Sequence, residues 1–374
     1  MPSDYIGTLG VMVCRRPGTP PFSEKEFLRE MSLASSLLGI TVFVFFPDEK
    51  SGSMNLDHHI SGYIYKQNRW VKETFPLPDL IYDRCLFKNA EETYAASAFL
   101  SRLTKAKGLM WSRGLPGKKR IYDFLQHDPE LSPYLPHTIA YEGNESLSNA
   151  LHRFNGELFM KPSGGSHGSH TLYVNCRKTN EAILQGRDRS NSIFHQTIPT
   201  ADLTAWIKRF TGHRRFIIQQ HLKLRGQDGK PFDTRVLVQK NAQGSWTVTG
   251  MAVRLGPAEG MTSNLHGGGT ALPVPSFLKS EFGNHKAEQI LNCINHLCER
   301  IPPLLESGFG RLGELGIDFG IDCSGKVWLL EVNSKPGRRA FKLTGDIPAA
   351  KLSVENPLRY ARYLLLRQLR RVNT

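Results

Sequence analysis

Three features are missing from the 374-residue sequence: a long apolar run, paired cysteines and a basic leader. No apolar run reaches the ~20 residues that a membrane-spanning helix needs, so we expect no membrane span. The first residues, Met-Pro-Ser-Asp-Tyr, contain no basic region followed by an apolar core, which argues against a signal peptide. The six cysteines include no Cys-x-x-Cys pair. We therefore expect reduced thiols in a cytoplasmic protein, with neither a disulfide framework nor a zinc site.

The composition is that of an ordinary globular protein with an excess of basic residues. With 40% hydrophobic and 22% charged residues, a chain of this length can form two or three packed units. The net charge of +14 fits a nucleic acid, an anionic surface or an acidic small substrate as partner. Because the sequence contains no RNA-binding signature and no zinc-finger spacing, we expect no specific nucleic-acid partner.

The stretch Gly316–Gly337 is typical of a β-hairpin with an acidic face. Two runs of alternating apolar and polar residues flank Ser324-Gly325, a dipeptide that commonly marks a turn. A two-residue turn there places Asp318 directly opposite Glu331, with Cβ atoms roughly 5 Å apart. Asn333 lies on the same face, because strand side chains repeat every second residue.

Two carboxylates that lie opposite each other repel, so this face of the hairpin needs a cation. Two carboxylates and one amide oxygen are hard ligands, which suit Mg²⁺ or Mn²⁺ better than zinc. A magnesium site with few protein ligands usually completes its shell with water and substrate phosphates. The alternative is an ordinary hairpin with a solvated polar face. The phosphate-binding features elsewhere in the chain favour the metal site.

The first part of the chain alternates strands and a helix. Residues 7–15 predict a strand, Phe22–Leu38 has helical spacing, and Ile40–Phe46 is a nearly continuous apolar run typical of a buried parallel strand. We expect Ser23 to be the N-cap of the helix and Gly39 to end it. This β-α-β order predicts a small α/β domain.

Charged residues at the ends of two elements leave alternatives open. The run Asp79–Arg84 predicts a strand, and its Asp83 or Arg84 either contacts a substrate or forms the charged end of a surface strand. Farther along, a loop opens a helix with Lys118 and Lys119 at its start. Lysine is unfavourable at a helix N-terminus unless an anion lies nearby. The alternative is a solvated basic turn.

The segment Phe159–Val174 combines a lysine with a glycine-rich loop. A strand delivers Lys161, and the glycines that follow let backbone N–H groups approach an anion closely. No Gly-Lys-Ser/Thr opens a helix afterwards, so this is not a Walker A sequence, and a flexible surface turn is the alternative. For His167 and His170 a phosphate contact stays open, whereas zinc binding would need ligands that the pattern does not supply.

Three further segments carry polar residues on predicted strands. Phe216–Leu222 predicts a strand that ends in two glutamines and runs into a connection, and an exposed polar strand end is the alternative. Phe232–Val238 places Asp233 and Arg235 on one face. A third strand, Met251–Leu255, carries an arginine whose fixed guanidinium geometry suits an anionic group.

Several of these motifs resemble those of ATP-grasp enzymes. Gly-Ile-Asp-Phe followed by Leu-Glu-Val-Asn-Ser-Lys-Pro-Gly is similar to the C-terminal metal-binding signature of that family, and the ordered motifs span residues 108–340. The Met251–Leu255 strand and the Ser-Asn-Leu-His-Gly-Gly-Gly loop resemble the ribosomal-protein glutamate ligase and YheC/YheD-type branches. The YheC/YheD-type group is linked in spore-forming bacteria with the endospore coat.

The resemblance implies roles for individual residues. Asp318, Glu331 and Asn333 would hold two Mg²⁺ ions, or Mn²⁺, against the phosphates of ATP. In catalysis, Arg254 would neutralise the acyl-phosphate region and Asn264 would orient a substrate or phosphate oxygen, the alternatives being a surface arginine and a loop-capping asparagine. The expected nucleotide-binding residues are Lys118, Lys161, Gly164, Gly165, Ser166, Gly168, the hinge residues Gln219, Gln220 and Leu222, and Arg235.

The same resemblance implies the fold and its boundaries. We expect an α/β (α+β) chain with an N-terminal α/β pre-ATP-grasp domain at residues 1–107 and a two-lobed ATP-grasp domain at residues 108–374. The first lobe, residues 108–218, would contain the Gly-rich loop, and the second, residues 219–374, the metal site. We expect the basic amphipathic helix at residues 356–374 to pack over the ATP-binding lobe instead of binding a membrane.

The implied activity is ATP- and Mg²⁺-dependent ligation of a carboxylate to an amine through an acyl phosphate. The carboxylate substrate would be a small molecule, an amino acid or a peptide, and an amine would be the acceptor. Two alternatives stay open: an ATP-grasp kinase that phosphorylates a small molecule, and an ATP-binding structural protein of the spore coat without turnover. The implied location is the cytoplasm, with association with the endospore coat and a homo-oligomeric state left open.

Overall fold

The computed structural model describes residues 5–47, 59–105, 109–112, 114–164, 169–177, 180–257 and 269–372. These residues form three β-sheets with helices packed against them. The first sheet consists of β1 (Gly7–Met12), β2 (Ile40–Phe45), β3 (Ile60–Lys66), β4 (Arg69–Phe75), β5 (Leu80–Asp83) and β6 (Leu109–Met110), in the order β4-β3-β2-β1-β5-β6. Its central strand β1 pairs in parallel with β2 and β5, which agrees with the parallel strand that the apolar run of β2 predicts.

The helices of the first sheet are α1 (Lys25–Ser35) and α2 (Ala90–Lys105). The prediction that Ser23 is the N-cap is wrong, because α1 begins at Lys25 and its preceding residue, Glu24, has a left-handed conformation with φ 56. No side chain within the described ranges caps this helix. The Glu24 carboxylate instead accepts hydrogen bonds from Arg84 at 3.2 and 2.5 Å. Gly39 does end the helical segment, with φ 69 and its N–H bonded to the Ser36 carbonyl.

The second sheet is antiparallel throughout. It consists of β7 (Thr138–Tyr141), β8 (Glu157–Pro162), β9 (Thr171–Asn175), β10 (Glu181–Arg187), β11 (Ile193–Pro199) and β12 (Phe216–Gln220), in the order β11-β10-β9-β8-β12-β7. Its associated helices are α4 (Asn144–Arg153) and α5 (Leu203–Thr211), whereas α3 (Lys118–Gln126) precedes β7 in the chain. The Gly-rich segment connects β8 to β9, and α4 and α5 bury their apolar faces on the sheet.

The third sheet carries the acidic hairpin. It consists of β13 (Phe232–Lys240), β14 (Trp246–Leu255), β15 (Thr270–Leu272), β16 (Glu314–Ile321) and β17 (Val327–Asn333), in the order β15-β14-β13-β16-β17. The long helix α6 (Val274–Phe309), kinked at Gly283, packs its apolar side against this sheet together with α3. The last helices are α7 (Arg339–Leu343) and α8 (Ile347–Val372).

The last helix, α8, joins two parts of the fold. It contacts β13 and β14 of the third sheet, the sheet that carries the acidic hairpin. Its residues Leu358 and Leu365 also belong to the same buried cluster as Leu9 and Val11 of β1. The core of the first sheet is therefore completed from the far end of the chain, and the boundaries at residues 1–107 and 108–374 stay a prediction. Among the described residues, no helix is both long enough and apolar enough to cross a membrane.

Candidate functional site

A cavity of about 1040 Å³ opens between the first sheet, the second sheet and the acidic hairpin. Its walls contain residues of α1, the segment that follows β5, the β8–β9 and β12–β13 connections, and β16 and β17. The described residues to which the family resemblance assigns a nucleotide, catalytic or metal role all line this one cavity. They are Lys118, Lys161, Gly164, Gln219, Gln220, Leu222, Arg235, Arg254, Asp318, Glu331 and Asn333.

The hairpin of β16 and β17 forms where the sequence predicts it, but its turn is different. Asp322 N donates to the Lys326 carbonyl at 3.0 Å and Gly325 N to the Asp322 carbonyl at 2.8 Å, so the loop has three residues and the predicted two-residue turn is wrong. The Asp322 carboxylate stabilises this loop by accepting hydrogen bonds from the N–H groups of Ser324 and Lys326. Gly325 has a φ of 81°, which a glycine adopts without steric cost.

A β-bulge restores the predicted opposition of the two carboxylates. Asp318 pairs with Glu331, whereas the next residue, Phe319, pairs with Leu329. Leu330 is therefore the extra residue of a bulge, which offsets the one-residue shift that the longer turn introduces. The Leu330 carbonyl accepts a hydrogen bond from Lys161 Nζ at 3.3 Å. The bulge thus links the hairpin to the lysine of the second sheet.

Two guanidinium groups engage Asp318. Arg235 on β13 donates to both carboxylate oxygens, one of them at 2.9 Å, and Arg254 Nη2 lies 3.1 Å from Oδ2. Arg254 also forms a bidentate pair with Asp233, at 2.6 Å for each bond. Burial alone would raise the pKa of the Asp318 carboxyl, but Arg235 and Arg254 hold it below its ordinary value. Arg235 and Arg254 therefore supply the positive charge that Asp318 requires on this acidic face.

Two lysines lie on the other side of the acidic pair. Lys118, the first residue of α3, has its Nζ 3.4 Å from Glu331 Oε2, so an anion does lie near this helix N-terminus. Lys119 instead pairs with Asp123 on its own helix. Burial and the nearby charge of Lys118 lower the pKa of Lys161 to about 8, although Glu331 and Asp318 oppose the shift. Both cavity lysines thus face the same cluster of carboxylates.

The donor set of the hairpin fits a hard divalent cation. Glu331 and Asn333 are partly exposed and line the cavity, and their oxygens together with Asp318 are the ligands that Mg²⁺ prefers. Gly316 lies opposite Asn333, and a Cβ at Gly316 would come within 2.8 Å of Pro336, so only glycine allows this close packing beside the acidic face. In the described part of the chain, no three His, Cys, Asp or Glu residues form a separate metal cluster.

The β12–β13 connection forms the wall opposite the hairpin. Gln219 is 7% exposed, and its Nε2 donates to Thr138 Oγ1 at 2.7 Å, so its side chain is held within the sheet instead of forming an exposed strand end. Gln220 N donates to the His137 carbonyl at 3.2 Å. Leu222 lies in the connection itself and lines the cavity. Lys223 and Arg225 of the same connection also line the cavity, so a ligand at this wall would meet cationic as well as apolar side chains.

A buried ionic network that no motif predicted borders the cavity. Glu314 is fully buried and binds Arg84 at 3.0 Å, Arg338, and the hydroxyl of Tyr82. Arg84 continues to Glu24 and lines the cavity. The interpretation of Arg84 as the end of a surface strand is therefore wrong. The signal available in the sequence was a glutamate at the start of the otherwise largely apolar strand β16.

Asp83 is not the charged end of a surface strand either, since it is only 8% exposed. Its carboxylate accepts a hydrogen bond from Lys335 Nζ at 2.7 Å. Lys335 follows Asn333, the last residue of β17, by two residues, so this contact connects the end of β5 to the acidic hairpin. The pair therefore positions the hairpin relative to the first sheet.

Several predicted residues lie outside the described part of the chain. They are Gly165, Ser166, His167, Gly168 and Asn264. His170, at the end of the same loop, is described and 1% exposed. It contacts Arg214, a cavity residue that the motifs did not include.

The fold and the site can be compared with known proteins. The family model described as YheC/D like ATP-grasp matches residues 109–364, well over half of the chain. The chain is 27% identical over 365 residues to the endospore coat-associated protein YheC of Bacillus subtilis (strain 168), covering 96% of this chain and 97% of that protein. It is 28% identical over 312 residues to the endospore coat-associated protein YheD of the same strain, covering 82% and 67% respectively.

Solved structures support the fold. The D-cycloserine synthetase DcsG is similar with a TM-score of 0.54 and 13% identity, covering 96% of this chain and 99% of that one. The D-alanine-D-alanine ligase from Coxiella burnetii has a TM-score of 0.51 and 13% identity, with 98% of both chains covered. The expected α/β ATP-grasp fold is confirmed, and so is the resemblance to the YheC/YheD-type group.

Proposed function

This chain belongs to the YheC/D-like ATP-grasp family, and on this basis we propose that it is an ATP- and Mg²⁺-dependent carboxylate–amine ligase. The observation that carries the proposal is the convergence of the described motif residues on one cavity of about 1040 Å³. Cations that suit a phosphate chain and hard oxygen ligands that suit Mg²⁺ occur there together. A cavity of this size accommodates a nucleotide and further substrates, since ligand sites commonly measure about 300–1,000 Å³.

The proposed reaction has two steps. The γ-phosphate of ATP passes to the carboxylate of an amino acid or peptide, which yields an acyl phosphate and ADP. An amine then attacks the acyl carbon and phosphate leaves, so that a C–N bond replaces the acyl–oxygen bond. No Ser, Cys or His nucleophile of the protein takes part. Catalysis of this kind depends mostly on positioning and on stabilising the charge of the transferred group.

We assign the nucleotide to the space between the β12–β13 connection and the acidic hairpin. Gln220 and Leu222 would contact the base at the hinge, and Lys118 and Lys161 would bind phosphate oxygens. A phosphate group near Lys161 would also favour its charged form, because an anion raises the pKa of a neighbouring ammonium group. The remaining residues predicted to bind the nucleotide, among them Gly164, keep the roles expected from the resemblance.

Glu331, Asn333 and Asp318 would hold Mg²⁺. When bound, the metal would neutralise charge on the β- and γ-phosphates. Arg235 and Arg254 already contact the carboxylate oxygens of Asp318. We propose that these arginines exchange part of their contact with Asp318 for the transferred phosphoryl group, with Asp233 keeping Arg254 in place.

The test is ADP release by the purified protein against a panel of amino acids, short peptides and amines, with mass spectrometry of the products. A product whose mass equals carboxylate plus amine minus water supports the ligase. A stable phosphorylated product formed without any amine would show a kinase instead. Binding of Mg-ATP with no turnover across the panel would favour a structural role that uses ATP only as a ligand.

The names of the B. subtilis relatives suggest where the protein acts. We propose that this chain, too, associates with the endospore coat, after synthesis in the cytoplasm of a sporulating cell. Immunoblotting of purified spores before and after extraction of the coat would test this. Recovery of the protein only in the vegetative soluble fraction would contradict it.

A further inference from the structure

A histidine–arginine pair lies where the Gly-rich segment enters β9. His170 precedes this strand and is 1% exposed. Its ring packs between Phe210, at a centroid distance of 4.5 Å, and Phe216, at 4.9 Å. Arg214 lies between α5 and β12 and lines the cavity. The pair therefore connects the base of the loop to the wall of the cavity.

Two contacts fix the protonation of the His170 ring. Nε2 lies 2.8 Å from the Phe210 carbonyl oxygen, which can only accept, so Nε2 carries the hydrogen. Nδ1 lies 3.1 Å from Nη1 of Arg214, and a guanidinium group can only donate. Nδ1 must therefore be unprotonated, and the ring is neutral when both hydrogen bonds form.

The surroundings of His170 favour this neutral state. Burial lowers the pKa of His170, and the charges of Arg214 and Arg189 lower it further. The Phe210 carbonyl and Asp188 act in the opposite sense without reversing the shift. At neutral pH the imidazole therefore serves as a hydrogen-bond acceptor for Arg214.

Arg214 differs from the other cations near the hairpin in its partner. Lys118, Arg235 and Arg254 each pair with a carboxylate, which offsets their charge. Arg214 contacts a neutral ring nitrogen, and no ion pair joins it to a carboxylate among the residues that the structure describes. Its positive charge is therefore held in place without being neutralised.

The location of Arg214 points to the phosphate end of the cavity. Phe216 pairs with Pro162 across the sheet, and the carbonyl of Arg215 accepts a hydrogen bond from Ser163 N at 2.9 Å. These contacts place Arg214 beside the end of β8, the strand that carries Lys161 into the Gly-rich segment. Both basic residues thus approach the cavity from the base of one loop.

We propose that Arg214 binds the phosphate chain of the nucleotide and that neutral His170 is its positioning residue. This inference rests on the proposed function, because it requires that the cavity bind a nucleoside triphosphate. The hydrogen bond from Arg214 to His170 orients the guanidinium group before the nucleotide arrives, which reduces the conformational entropy lost on binding.

The first experiment measures the affinity of ATP and of adenosine by isothermal titration calorimetry in the presence of Mg²⁺. Arg214→Gln is expected to weaken ATP binding by about ten- to a hundredfold, the range for a hydrogen bond to a charged group, and to leave adenosine binding unchanged. Arg215→Gln is the matched control, since Arg215 is adjacent and exposed and does not line the cavity. It should change ATP affinity by less than about twofold, as expected for a surface substitution.

A second pair of variants tests the role of His170. His170→Phe keeps an aromatic ring between Phe210 and Phe216 but removes the acceptor for Arg214. His170→Asn keeps an acceptor and suits the left-handed backbone at this position, where φ is 58°. We expect the phenylalanine variant to lose ATP affinity as Arg214→Gln does, and the asparagine variant to retain most of it. Melting curves identify any variant that does not fold, in which case Arg214→Gln and His170→Asn decide.

A pH series of ATP affinity distinguishes a positioning role of His170 from a merely structural one, because a structural role would not make the affinity depend on protonation of the ring. Because the pKa of His170 is lowered, its protonation begins only below its ordinary value of about 6.5. Protonation removes the acceptor and adds a like charge beside Arg214, so wild-type ATP affinity should fall there more steeply than that of His170→Asn. The protonation of ATP itself affects both proteins equally, so it cancels when their ATP affinities are compared at each pH.

Two kinds of failure can be told apart. If the wild-type protein binds no ATP, both the proposed function and this inference are overturned. If it binds ATP and Arg214→Gln binds ATP equally well, or loses adenosine to the same extent, only the inference is overturned.

Discussion

Strand β16 carries two buried carboxylates, Glu314 and Asp318, and each binds two guanidinium groups. Being four residues apart, they lie on the same face of the strand, where Gln239 and Arg235 of β13 are their neighbours. Glu314 is 0% exposed and lies inside the network that joins the first and third sheets. Asp318 is 6% exposed and lines the cavity.

The two clusters show that similar side chains stabilise a fold in one place and offer a binding site in another. Around Glu314, Arg84 and Arg338 also line the cavity, but the glutamate between them is fully buried and does not, so a ligand in the cavity cannot take the place of its carboxylate. Around Asp318, the carboxylate lines the cavity together with its arginines, so a phosphate group can compete for them. Access of the carboxylate to the cavity, and not the chemistry of the ion pairs, separates the structural cluster from the candidate functional one.

The largest expected effect breaks the buried cluster. Glu314→Gln leaves Arg84 and Arg338 without their shared carboxylate, and we expect it to lower the free energy of unfolding by about 3–5 kcal/mol. Asp318→Asn should cost clearly less, because residue 318 itself lines the cavity, where water can reach it, and Arg254 keeps its bidentate pair with Asp233. Chemical denaturation of both variants is the measurement. Equal losses would contradict the distinction drawn between the two clusters.

The next largest expected effect is on turnover, without a loss of stability. Glu331→Gln keeps the shape of the side chain but removes a charge expected to bind Mg²⁺, so turnover should fall by about a hundred- to a thousandfold, as for the loss of a group that stabilises a transition state. Its melting temperature should be unchanged or raised, since the substitution relieves repulsion with Asp318. ADP release and melting curves test this. Near-normal turnover would exclude the metal role of this hairpin.

Binding of Mg-ATP should stabilise a variant of the Glu314 cluster more than a variant of the Asp318 cluster. Mg-ATP at a hundred times its Kd is expected to stabilise the wild-type protein by about 2.7 kcal/mol. Glu314→Gln should gain the same increment, because its defect lies away from the ligand, whereas Asp318→Asn should gain less. Thermal melts with and without Mg-ATP measure the increments. Identical gains in both variants would argue that Asp318 takes no part in the site.

The smallest expected effect is the pH dependence of ATP affinity that Lys161 causes. Since the pKa of Lys161 is lowered to about 8, its charge in the free protein is present below that pH and lost above it. ATP affinity should therefore decline as the pH rises through about 8, by less than about tenfold. In Lys161→Arg this decline should be absent, because arginine keeps its charge. A pH series of binding measurements on both proteins tests the assignment.

Much of the architecture could be predicted from local patterns. The apolar run of β2, the glycine that ends the first helical segment and the acidic strand of the hairpin all have signals within a few residues of one another. The hairpin shows the limit of such reasoning. Its two carboxylates do lie opposite each other, but through a three-residue turn and a bulge at Leu330 that no dipeptide rule indicated.

By itself, the sequence determined which side chains could serve a phosphate and metal site, because strand periodicity places Asp318, Glu331 and Asn333 on one face. Only the tertiary structure decided the partners of those side chains. Arg235 pairs with a residue 83 positions away, and α8 completes the core of the first sheet from the other end of the chain. A buried charge must find an opposite charge wherever packing brings one near, and local periodicity carries no information about that partner.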